Sequence, residues 1–533
     1  MFSSEADVDE AHAIIAQTFS TGTTKPLAWR RWQLKQVWWM LTDYEPQILA
    51  ALHADLHKPA WESHITDILA LKQDVLATLS NLQTWTKDTH PGGSLVNHLG
   101  RTTIRKEPLG AALIIGTWNF PFLVTLQPML AAIAAGCTVL LKPSEVAPAS
   151  QDLMVEMVEK YLDSTAIRIV TGGATEMRHI LSRKYGMIFY TGSPSIARVV
   201  ARASAEHLTP TVLELGGQGP AIVAKDADVD LAAKRIAAAK FLNAGQICLS
   251  VNHVFVEPEV KMRLLERLWY WFDRFNDGGE DWEGMCRIVS EKHYDRVVSL
   301  LEKTKGKVVY GGKRNRVKRF LEPTVVVDLD VNDPLLSVEL FAPILPIVTA
   351  SIADAIAHIN SHPPPLALYP FTSSLAVSRK ILDSTVSGGA SINDAMIHAS
   401  LANAPFGGVG ESGHGAYHGV YGVNAFSHLR TVVNLPTWMD LLMSGRYPPY
   451  DMSRLKRMRK GLGVPDTPSF KRGEGVDDQS EKRFGVRSML TTLVVLLLGV
   501  LSVLFQVQLD GDVGKLRVAL EETSRRITSA MVM

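Results

Sequence analysis

The sequence predicts an α/β protein built around a doubly wound, mainly parallel sheet, and three observations support this fold class. The chain has 533 residues, which is more than a single hydrophobic core usually covers, so we expect at least two domains. After Pro108, short apolar runs alternate with stretches of helical character, as parallel strands and crossover helices do. The hydrophobic content of 46% and aromatic content of 8% exclude a largely disordered chain.

The first part of the chain, residues 5–90, is expected to be helical. Leu34, Val37 and Leu41 recur at helical spacing, and Ile65–Leu82 repeats the pattern. The N-terminal stretch MFSSEADVDEAHAII is acidic and has no basic region followed by an apolar core. It therefore resembles neither a secretory signal nor a transit peptide.

Short apolar runs dominate the middle of the chain. Four of them are expected to form buried parallel strands: Ala112–Gly116, Thr138–Lys142, Ile167–Gly172 and Met187–Gly192. The intervening segments Leu126–Ala135 and Gln151–Leu162 suit crossover helices. A second α/β segment begins near Thr211 and ends at about Asn403, and residues 437–487, rich in proline and glycine, are expected to form a linker.

The C-terminal region contains an apolar segment of membrane-spanning length. Residues 488–509 form a stretch of 22 residues without a charge, and as a helix it would measure about 33 Å. A buried helix of a globular core is the alternative, but polar linker flanks the segment and it has no amphipathic period. Residues 446–487 carry 11 Lys/Arg against 6 Asp/Glu, so the positive-inside rule places this flank in the cytosol. We expect a C-terminal anchor followed by a tail over 510–533.

Charge and cysteine content exclude several function classes. The formal charge is +1, so no global basic field exists to hold a nucleic acid backbone. Only three cysteines occur, Cys137, Cys248 and Cys286, and no two of them form a CxxC pair. A disulfide framework and a cysteine zinc site are therefore not expected, and no histidine cluster has metal-ligand spacing. We predict a protein of a reducing compartment with no metal site.

Polar motifs follow the predicted strands, where ligands gather in open α/β sheets. In GTWNFP, the amide of Asn119 could stabilise an oxyanion, although an isolated Asn is more often a turn former. In LKPSE, Lys142 and Glu145 suit ribose hydroxyls, and a solvated ion pair is the alternative. In FYTGSPSIAR, a strand ends at Gly192 and a helix begins at Ser193–Pro194, so the exposed amides could bind a pyrophosphate.

Two further motifs, ELGGQGP and NAGQICLS, supply acid–base and nucleophilic groups. Glu214 could act as a base toward water or simply end a strand, and Gly216 and Gly217 would let a flat ring approach the backbone. Cys248 lies in a segment too polar for an ordinary core cysteine, but its thiol needs activation by a dipole or a base. The other two cysteines are expected to be buried and inert.

Taken together and in this order, these motifs resemble the aldehyde dehydrogenase superfamily, over roughly Leu34 to Leu435. Two further motifs add to the resemblance, ELFAPILP at Glu339–Pro346 and the stretch ending PFGGVGESGHGAYHG at Gly419. That ending and the compact N-terminus resemble the class 3 branch. Within it, the C-terminal anchor resembles membrane-bound fatty aldehyde dehydrogenases, and the layout is similar to fungal enzymes that oxidise apocarotenals.

The resemblance implies a role for each of the three proposed catalytic residues. Cys248 matches the nucleophile that attacks the aldehyde and carries the resulting thioester. Asn119, together with the backbone N–H of Cys248, would hold the oxyanion. Glu214 matches the base that activates water for hydrolysis.

The resemblance also implies NAD as the cofactor, with NADP possible. The cofactor contacts that it implies are Trp118, Lys142, Glu145, Gly192, Ser193, Pro194, Glu339 and Phe341. Of these, Glu145 should repel a 2′-phosphate, which favours NAD. Gln218, Ala342 and Ala197 depart from the usual Lys, Gly and Gly of the family motifs, which affects cofactor geometry rather than the reacting groups.

The implied organisation is a Rossmann-like cofactor domain, an α/β catalytic domain and a small bridging β element. The predicted bounds are 1–210 for the N-terminal helices and cofactor domain (with bridging strands near 94–107), 211–403 for the catalytic domain, 404–436 for the bridging and oligomerisation segment, 437–487 for the linker, 488–509 for the transmembrane anchor and 510–533 for the tail. A homodimer is expected from the class 3 branch.

The predicted function is NAD-dependent oxidation of a long lipophilic aldehyde, fatty or apocarotenoid, at a membrane that we expect to be the endoplasmic reticulum, with the body in the cytosol. One alternative is an enzyme that passes the acyl group to coenzyme A, although such enzymes generally lack the glutamate found here at position 214. A second is a catalytically silent scaffold at a membrane surface, which the intact set of reacting groups disfavours.

Overall fold

A computed structural model describes residues 2–92, 95–276, 282–461 and 464. The chain divides into two compact units, residues 1–435 and residues 436–533. In the second unit the described residues include two helices, Met439–Leu442 and Met452–Gly461. The predicted anchor at 488–509 lies outside the described residues, and within these no helix has the length and apolar character needed to cross a bilayer.

Helices dominate residues 5–86, in agreement with the helical pattern predicted for residues 5–90. The helices are Glu5–Thr21, Leu27–Asp43, Glu45–Leu56, Ala60–Ser63, Ala70–Thr86 and Leu95–Leu99, with a π-helical stretch at His64–Leu69. Ser4 begins the first helix as a capping box with Asp7. The apolar faces of the second and fifth of these helices pack together through residues such as Leu34, Leu41 and Val75, which are fully buried.

A six-stranded sheet forms the first α/β layer. In spatial order its strands are Gly413–His414, Thr211–Glu214, Met187–Thr191, Ala111–Ile115, Thr138–Lys142 and Ile167–Ile169, all parallel except the first. The four predicted strands are all present, because runs such as TVLLK are buried on both faces. Helices cover the sheet at Pro121–Ala135, Pro148–Tyr161, Ala174–Leu181 and Pro194–His207. The first of these begins five residues before the predicted Leu126, since Pro121 suits the first helical turn.

A seven-stranded sheet forms the second layer. In order its strands are Gly389–Ala390, Ala367–Phe371, Pro220–Val223, His253–Val256, Ile344–Thr349, Thr324–Val327 and Lys307–Tyr310, of which only the last is antiparallel. Its helices are Val229–Phe241, Lys261–Phe275, Glu291–Lys303, Ile352–Asn360 and Leu375–Asp383. These two layers confirm the predicted α/β class with mixed sheets.

The segment boundaries differ in detail from those predicted. The strand Thr211–Glu214 pairs with Met187–Thr191 and so belongs to the first sheet, whereas the second α/β segment was expected to start at residue 211. A two-stranded ribbon joins Thr103–Pro108 to Ser427–Val432, and residues 95–99, expected near the start of the bridging strands, are helical. The short helix Gly419–Ala425 leads into the ribbon. Residues 413–414 lie in the first sheet, so the predicted bridging segment 404–436 contributes both to that sheet and to the two-stranded ribbon.

Candidate active site

Cys248 lies just beyond a tight left-handed turn at the end of a helix. The helix Val229–Phe241 is followed by a 3-10 turn in which Asn243, Ala244 and Gly245 all have positive φ, 50°, 51° and 68°. Glycine is needed at the third position, since an added Cβ would lie 2.5 Å from the Ala342 carbonyl oxygen. Beyond this turn Cys248 keeps a small part of its surface exposed, although the protein surrounds most of the side chain.

Asn119 is bound to the same loop by hydrogen bonds. It follows the strand Ala111–Ile115 and is 3% exposed. Its Nδ2 donates to the Gln246 carbonyl oxygen at 3.1 Å, and its own carbonyl oxygen accepts from Asn243 Nδ2 at 2.9 Å. An amide NH2 group carries two hydrogens, so the second remains for another acceptor. The structure therefore fixes the amide of Asn119 beside the cysteine loop.

Glu214 ends the strand Thr211–Glu214 inside the protein. The residue is 3% exposed, and neither of its carboxylate oxygens has a hydrogen-bond partner. Burial raises the pKa of this carboxyl well above its ordinary value, because the charged form is poorly solvated. A buried carboxyl without partners is rare in folded proteins, and a raised pKa suits a group that accepts a proton near neutral pH.

The surroundings of Cys248 disfavour its thiolate. Burial raises the pKa of the thiol to about 12, and the nearby charges of Glu339 and Glu214 act in the same direction. The thiol, Glu214 and Glu339 therefore lie close enough to interact electrostatically, although they are far apart in the sequence. In this state the sulfur is protonated at neutral pH, so its reaction requires a proton acceptor or a nearby positive charge.

Lys142 and Glu145 form a directed ion pair at the end of the strand Thr138–Lys142. Lys142 Nζ lies 2.6 Å from Glu145 Oε2. The lysine side chain is 4% exposed and the glutamate side chain 36% exposed, so the pair is not the solvated one that the isolated motif favoured. The pair holds a carboxylate at the carboxyl edge of the sheet, where a ribose would bind in folds of this type.

Gly192, Ser193 and Pro194 connect the strand Met187–Thr191 to a helix. Ser193 occupies the N-cap position and Pro194 the first helical position, as predicted. The Ser193 hydroxyl makes no capping bond; its Oγ lies 3.0 Å from Ser195 Oγ. An added Cβ at Gly192 would lie 2.3 Å from the hydroxyl oxygen of Tyr190, so only glycine fits there. The first amides of this helix have no side-chain cap, which suits an anionic ligand.

Glu339 lies across the cleft from that helix. An added Cβ at Gly216 would lie 2.3 Å from Glu339 Oε1, and the Gly217 N–H donates to the same carboxylate. The carboxylate of Glu339 therefore lies against these two glycines, and the approach of a flat ring to them stays a prediction. Glu339 Oε1 has no partner, and burial raises the pKa of Glu339 to about 7. Glu339, Pro194, Gly216 and Gly217 line one cavity of about 310 Å³.

Trp118 and Phe341 complete the set of predicted contacts. Their rings meet edge to face with centroids 5.5 Å apart, and Trp118 also contacts His293 at 5.1 Å. Phe341 has a φ of 52°, an uncommon conformation for an aromatic residue. These contacts connect the loop that precedes Asn119 to the segment that carries Glu339.

The cleft fits the adenine dinucleotide that the motifs imply. The unpartnered Oε1 of Glu339 can accept from a ribose hydroxyl, and the uncapped helix at Pro194 can bind phosphate oxygens. Gln218, at the position where the family motif usually has Lys, lines the same cavity, and its Oε1 has no partner. Ala342 and Ala197, the other two departures, are both buried. Among the described residues, no group of three or more His, Cys, Asp or Glu is arranged to hold a metal ion.

Three residues near the reacting groups were missed by the sequence analysis. The Tyr369 hydroxyl donates to the Leu249 carbonyl oxygen at 2.6 Å, next to the cysteine. Tyr417 is buried, and after burial itself the charges of Glu214 and Cys248 raise its pKa. Lys240 Nζ donates to the Ala342 carbonyl oxygen at 3.2 Å, and burial lowers its pKa to about 7. Only Tyr417 had a signal, its place in the GAYHG motif; the other two lie in a strand and a helix that look like ordinary core.

Comparisons with known proteins show the family and the fold of this chain. The sequence model of the aldehyde dehydrogenase family matches residues 2–432. The chain is 41% identical to a beta-apo-4′-carotenal oxygenase of Neurospora crassa over 87% of each chain. It is 37% identical to a dimeric, NADP-preferring aldehyde dehydrogenase of the dog, over 81% of this chain and 95% of the relative. The substrate-bound structure of Staphylococcus aureus AldH superposes with a TM-score of 0.82 at 32% identity, covering 85% of this chain and 99% of that one.

Proposed function

Because the chain belongs to the aldehyde dehydrogenase family, we propose that it oxidises a long lipophilic aldehyde to the carboxylic acid with NAD. The family reaction makes it an oxidoreductase that acts on aldehydes with NAD or NADP; the substrate class, the preference for NAD and the residue roles are our proposal. The observation that carries the proposal is the unpartnered, buried carboxylate of Glu214 in electrostatic contact with the Cys248 thiol. A buried carboxylate without partners costs free energy of folding, and groups of this kind with a raised pKa cluster at functional sites.

The first chemical step is attack of Cys248 on the aldehyde. The sulfur forms a bond to the carbonyl carbon while its proton passes to a water molecule and on to bulk solvent, and the carbonyl π electrons move to the oxygen, which becomes an oxyanion. The second hydrogen of the Asn119 amide and the backbone N–H of Cys248 stabilise that oxyanion, and preorganised donors of this kind contribute roughly 3 kcal/mol in other enzymes. The result is a thiohemiacetal held beside Asn119.

NAD held in the cavity lined by Glu339, Gly216 and Pro194 would supply the hydride acceptor, and Cys248 would then carry the acyl group as a thioester. Glu214 then removes a proton from a water molecule, and the oxygen attacks the acyl carbon. The carbon–sulfur bond breaks, the carboxylic acid leaves, and the thiol is restored. The raised pKa of Glu214 favours this role, because it makes the carboxylate a stronger proton acceptor than an ordinary glutamate.

The proposal for NAD rests on Glu145. Its carboxylate is held by Lys142 at 2.6 Å, where the ribose of the adenosine half would lie. Lys142 is buried and the Glu145 side chain is 36% exposed, so the carboxylate is the accessible part of this pair and would repel the 2′-phosphate of NADP. The dog relative is named NADP-preferring, so the preference has to be measured for this chain.

The proposal for a lipophilic substrate rests on the apolar segment 488–509. A membrane anchor would place the enzyme where such aldehydes partition, and it would leave the catalytic unit in the cytosol, on our proposal at the endoplasmic reticulum. The Neurospora crassa relative is named for an apocarotenal, so fatty and apocarotenoid aldehydes, β-apo-4′-carotenal among them, are the substrates to compare. We also propose a homodimer, since the dog relative is named dimeric.

A single set of assays tests this function. The full chain in detergent is supplied with NAD and with hexadecanal, a long apocarotenal or a short aldehyde, and kcat/KM and the product are measured. We expect higher kcat/KM for the long substrates, free acid as the product, and no turnover by Cys248→Ala. Turnover retained in Cys248→Ala would refute the catalytic assignment, and equal kcat/KM for the short aldehyde would refute the substrate class. Flotation of the full chain with liposomes, compared with a chain ended at residue 487, tests the anchor.

A further inference from the structure

The left-handed turn before Cys248 is held by a residue from a distant helix. The backbone N–H of Asn243 donates to Glu62 Oε1 at 2.8 Å, and both residues are buried. Asn243 and Ala244 adopt left-handed conformations that residues with a Cβ seldom occupy, and Gly245 completes the turn. Such a turn persists only where surrounding contacts hold it, and a carboxylate that accepts from its first N–H is a strong contact of this kind.

Glu62 is itself firmly placed. It lies in the helix Ala60–Ser63 and is 4% exposed. The Cys286 thiol donates to the same Glu62 oxygen at 3.4 Å. The fully buried pair of Lys58 and Asp67, joined at 2.6 Å, lies on either side of Glu62 in the sequence and interacts with it electrostatically. Because these neighbours fix its carboxylate, Glu62 provides a rigid acceptor for the turn.

Asn243 in turn contacts Asn119, the proposed oxyanion donor. The Asn243 side chain donates to the carbonyl oxygens of Asn119 at 2.9 Å and Gln246 at 3.1 Å. The Gln246 side chain in turn donates to the Asn243 and Arg287 carbonyl oxygens, both at 3.0 Å. Lys58 contacts the residue after Asn119, with its Nζ 4.2 Å from the centroid of the Phe120 ring. One buried network thus connects Glu62 to both sides of the oxyanion site.

We propose that Glu62 is a positioning residue, whose carboxylate oxygen holds the Asn243 turn and thereby sets the Cys248 backbone N–H against the Asn119 amide. The inference rests on the roles proposed above for Cys248 and Asn119. Glu62 touches neither substrate nor cofactor on this account. What matters is the place of its acceptor oxygen, since a displacement of about 1 Å at reacting groups can lower a rate about a hundredfold.

Three substitutions of Glu62 test this in the full-length protein. Glu62→Gln keeps an oxygen acceptor at the same reach, Glu62→Asp keeps the charge but retracts it by one methylene, and Glu62→Leu removes the acceptor. We expect kcat with decanal to fall less than about threefold in Glu62→Gln and about tenfold to a hundredfold in Glu62→Leu, with the KM for NAD nearly unchanged. Glu62→Asp should fall between them. A merely structural role would lower thermal stability without this split between kcat and KM.

Matched controls separate the turn from the rest of the network. Cys286→Ala removes the other donor to Glu62 Oε1 and should lower kcat much less than Glu62→Leu does, because the acceptor for the Asn243 N–H remains. Ala244→Gly relieves the left-handed strain, so the loss caused by Glu62→Leu should be smaller when both changes are combined. If Glu62→Leu does not fold, the kcat values of the other two variants decide between position and charge. A role based on charge would give Glu62→Asp a higher kcat than Glu62→Gln, and a role based on the position of the oxygen would give the reverse.

The positioning role would be overturned if a folded Glu62→Leu had the kcat of the wild type. It would also be overturned if the variant raised the KM for NAD by as large a factor as it lowered kcat. Failure of this inference is distinguishable from failure of the proposed function. If the wild type oxidises decanal and Cys248→Ala does not, a negative result on Glu62 concerns the positioning role alone.

Discussion

The reactivity of Cys248 toward an alkylating reagent tests the electrostatics of the site. The pKa of the thiol is raised to about 12 by burial and by the charges of Glu339 and Glu214. At pH 7 a thiol of that pKa is ionised in about one molecule in 100,000, whereas an ordinary cysteine of pKa about 8.5 is ionised in about one in 30. The thiolate fraction is therefore about 3,000-fold smaller than in a free cysteine.

Nucleophilicity offsets part of this difference. A thiolate of higher pKa reacts faster, and a Brønsted coefficient of about 0.45 gives a gain of about 40-fold. The net expectation is that Cys248 reacts with iodoacetamide about 80-fold more slowly at pH 7 than a free cysteine does, before any steric slowing. Because only the thiolate reacts, the rate should rise about tenfold per pH unit and show no plateau below about pH 10.

The assay is labelling of the cofactor-free enzyme, followed by mass spectrometry of the peptide that contains Cys248. Cys248→Ala supplies the background from Cys137 and Cys286, both of which are buried. Glu339→Gln removes the charge that raises the pKa of Cys248 more than Glu214 does, so the pH profile of labelling in this variant should shift to lower pH. A plateau below about pH 9 in the wild type, or labelling as fast as free cysteine at pH 7, would refute the reasoning.

Two further predictions concern the oxyanion donor and the cofactor. Asn119→Ala should lower kcat by roughly a hundredfold to a thousandfold with little change in the KM for NAD, measured by NADH absorbance; an unchanged kcat would remove Asn119 from the mechanism. Glu145→Gln keeps the shape of the side chain and removes its charge, so the ratio of kcat/KM for NADP to that for NAD should rise about tenfold. A ratio unaffected by this change would mean that Glu145 does not discriminate between the cofactors.

Much of the fold could be predicted because strands buried on both faces have a strong sequence signal. The run at Thr138–Lys142 matches its prediction residue for residue, and the helix at Pro148–Tyr161 differs from its prediction by only a few residues. The strand Thr211–Glu214 was assigned to the wrong α/β segment, because its own residues do not say which sheet it joins. Sheet membership is a long-range property, decided here by pairing with Met187–Thr191.

The catalytic roles of Cys248, Glu214 and Asn119 stay predictions. Glu214 and Asn119 could be singled out because they stand in short polar motifs at or just after a strand end, and Cys248 could be singled out because its segment is too polar for a core cysteine. Tyr369 and Glu62 could not, since each acts by a single contact to a backbone group far away in the sequence. The π-helical stretch that follows Glu62 also had no signal, because its residues have the same apolar spacing as an ordinary helix.

The central claim is that Cys248 holds the acyl group until Glu214 activates water to release it. Glu214→Gln keeps the size of the side chain and removes the base, so the acyl group should remain on the enzyme. The variant is mixed with decanal and NAD, the reaction is stopped, and the digested protein is analysed by mass spectrometry. Our account predicts one acyl group on the peptide that contains Cys248, and about one NADH formed per active site. Sustained turnover by this variant, or an acyl group on any other residue, would contradict it.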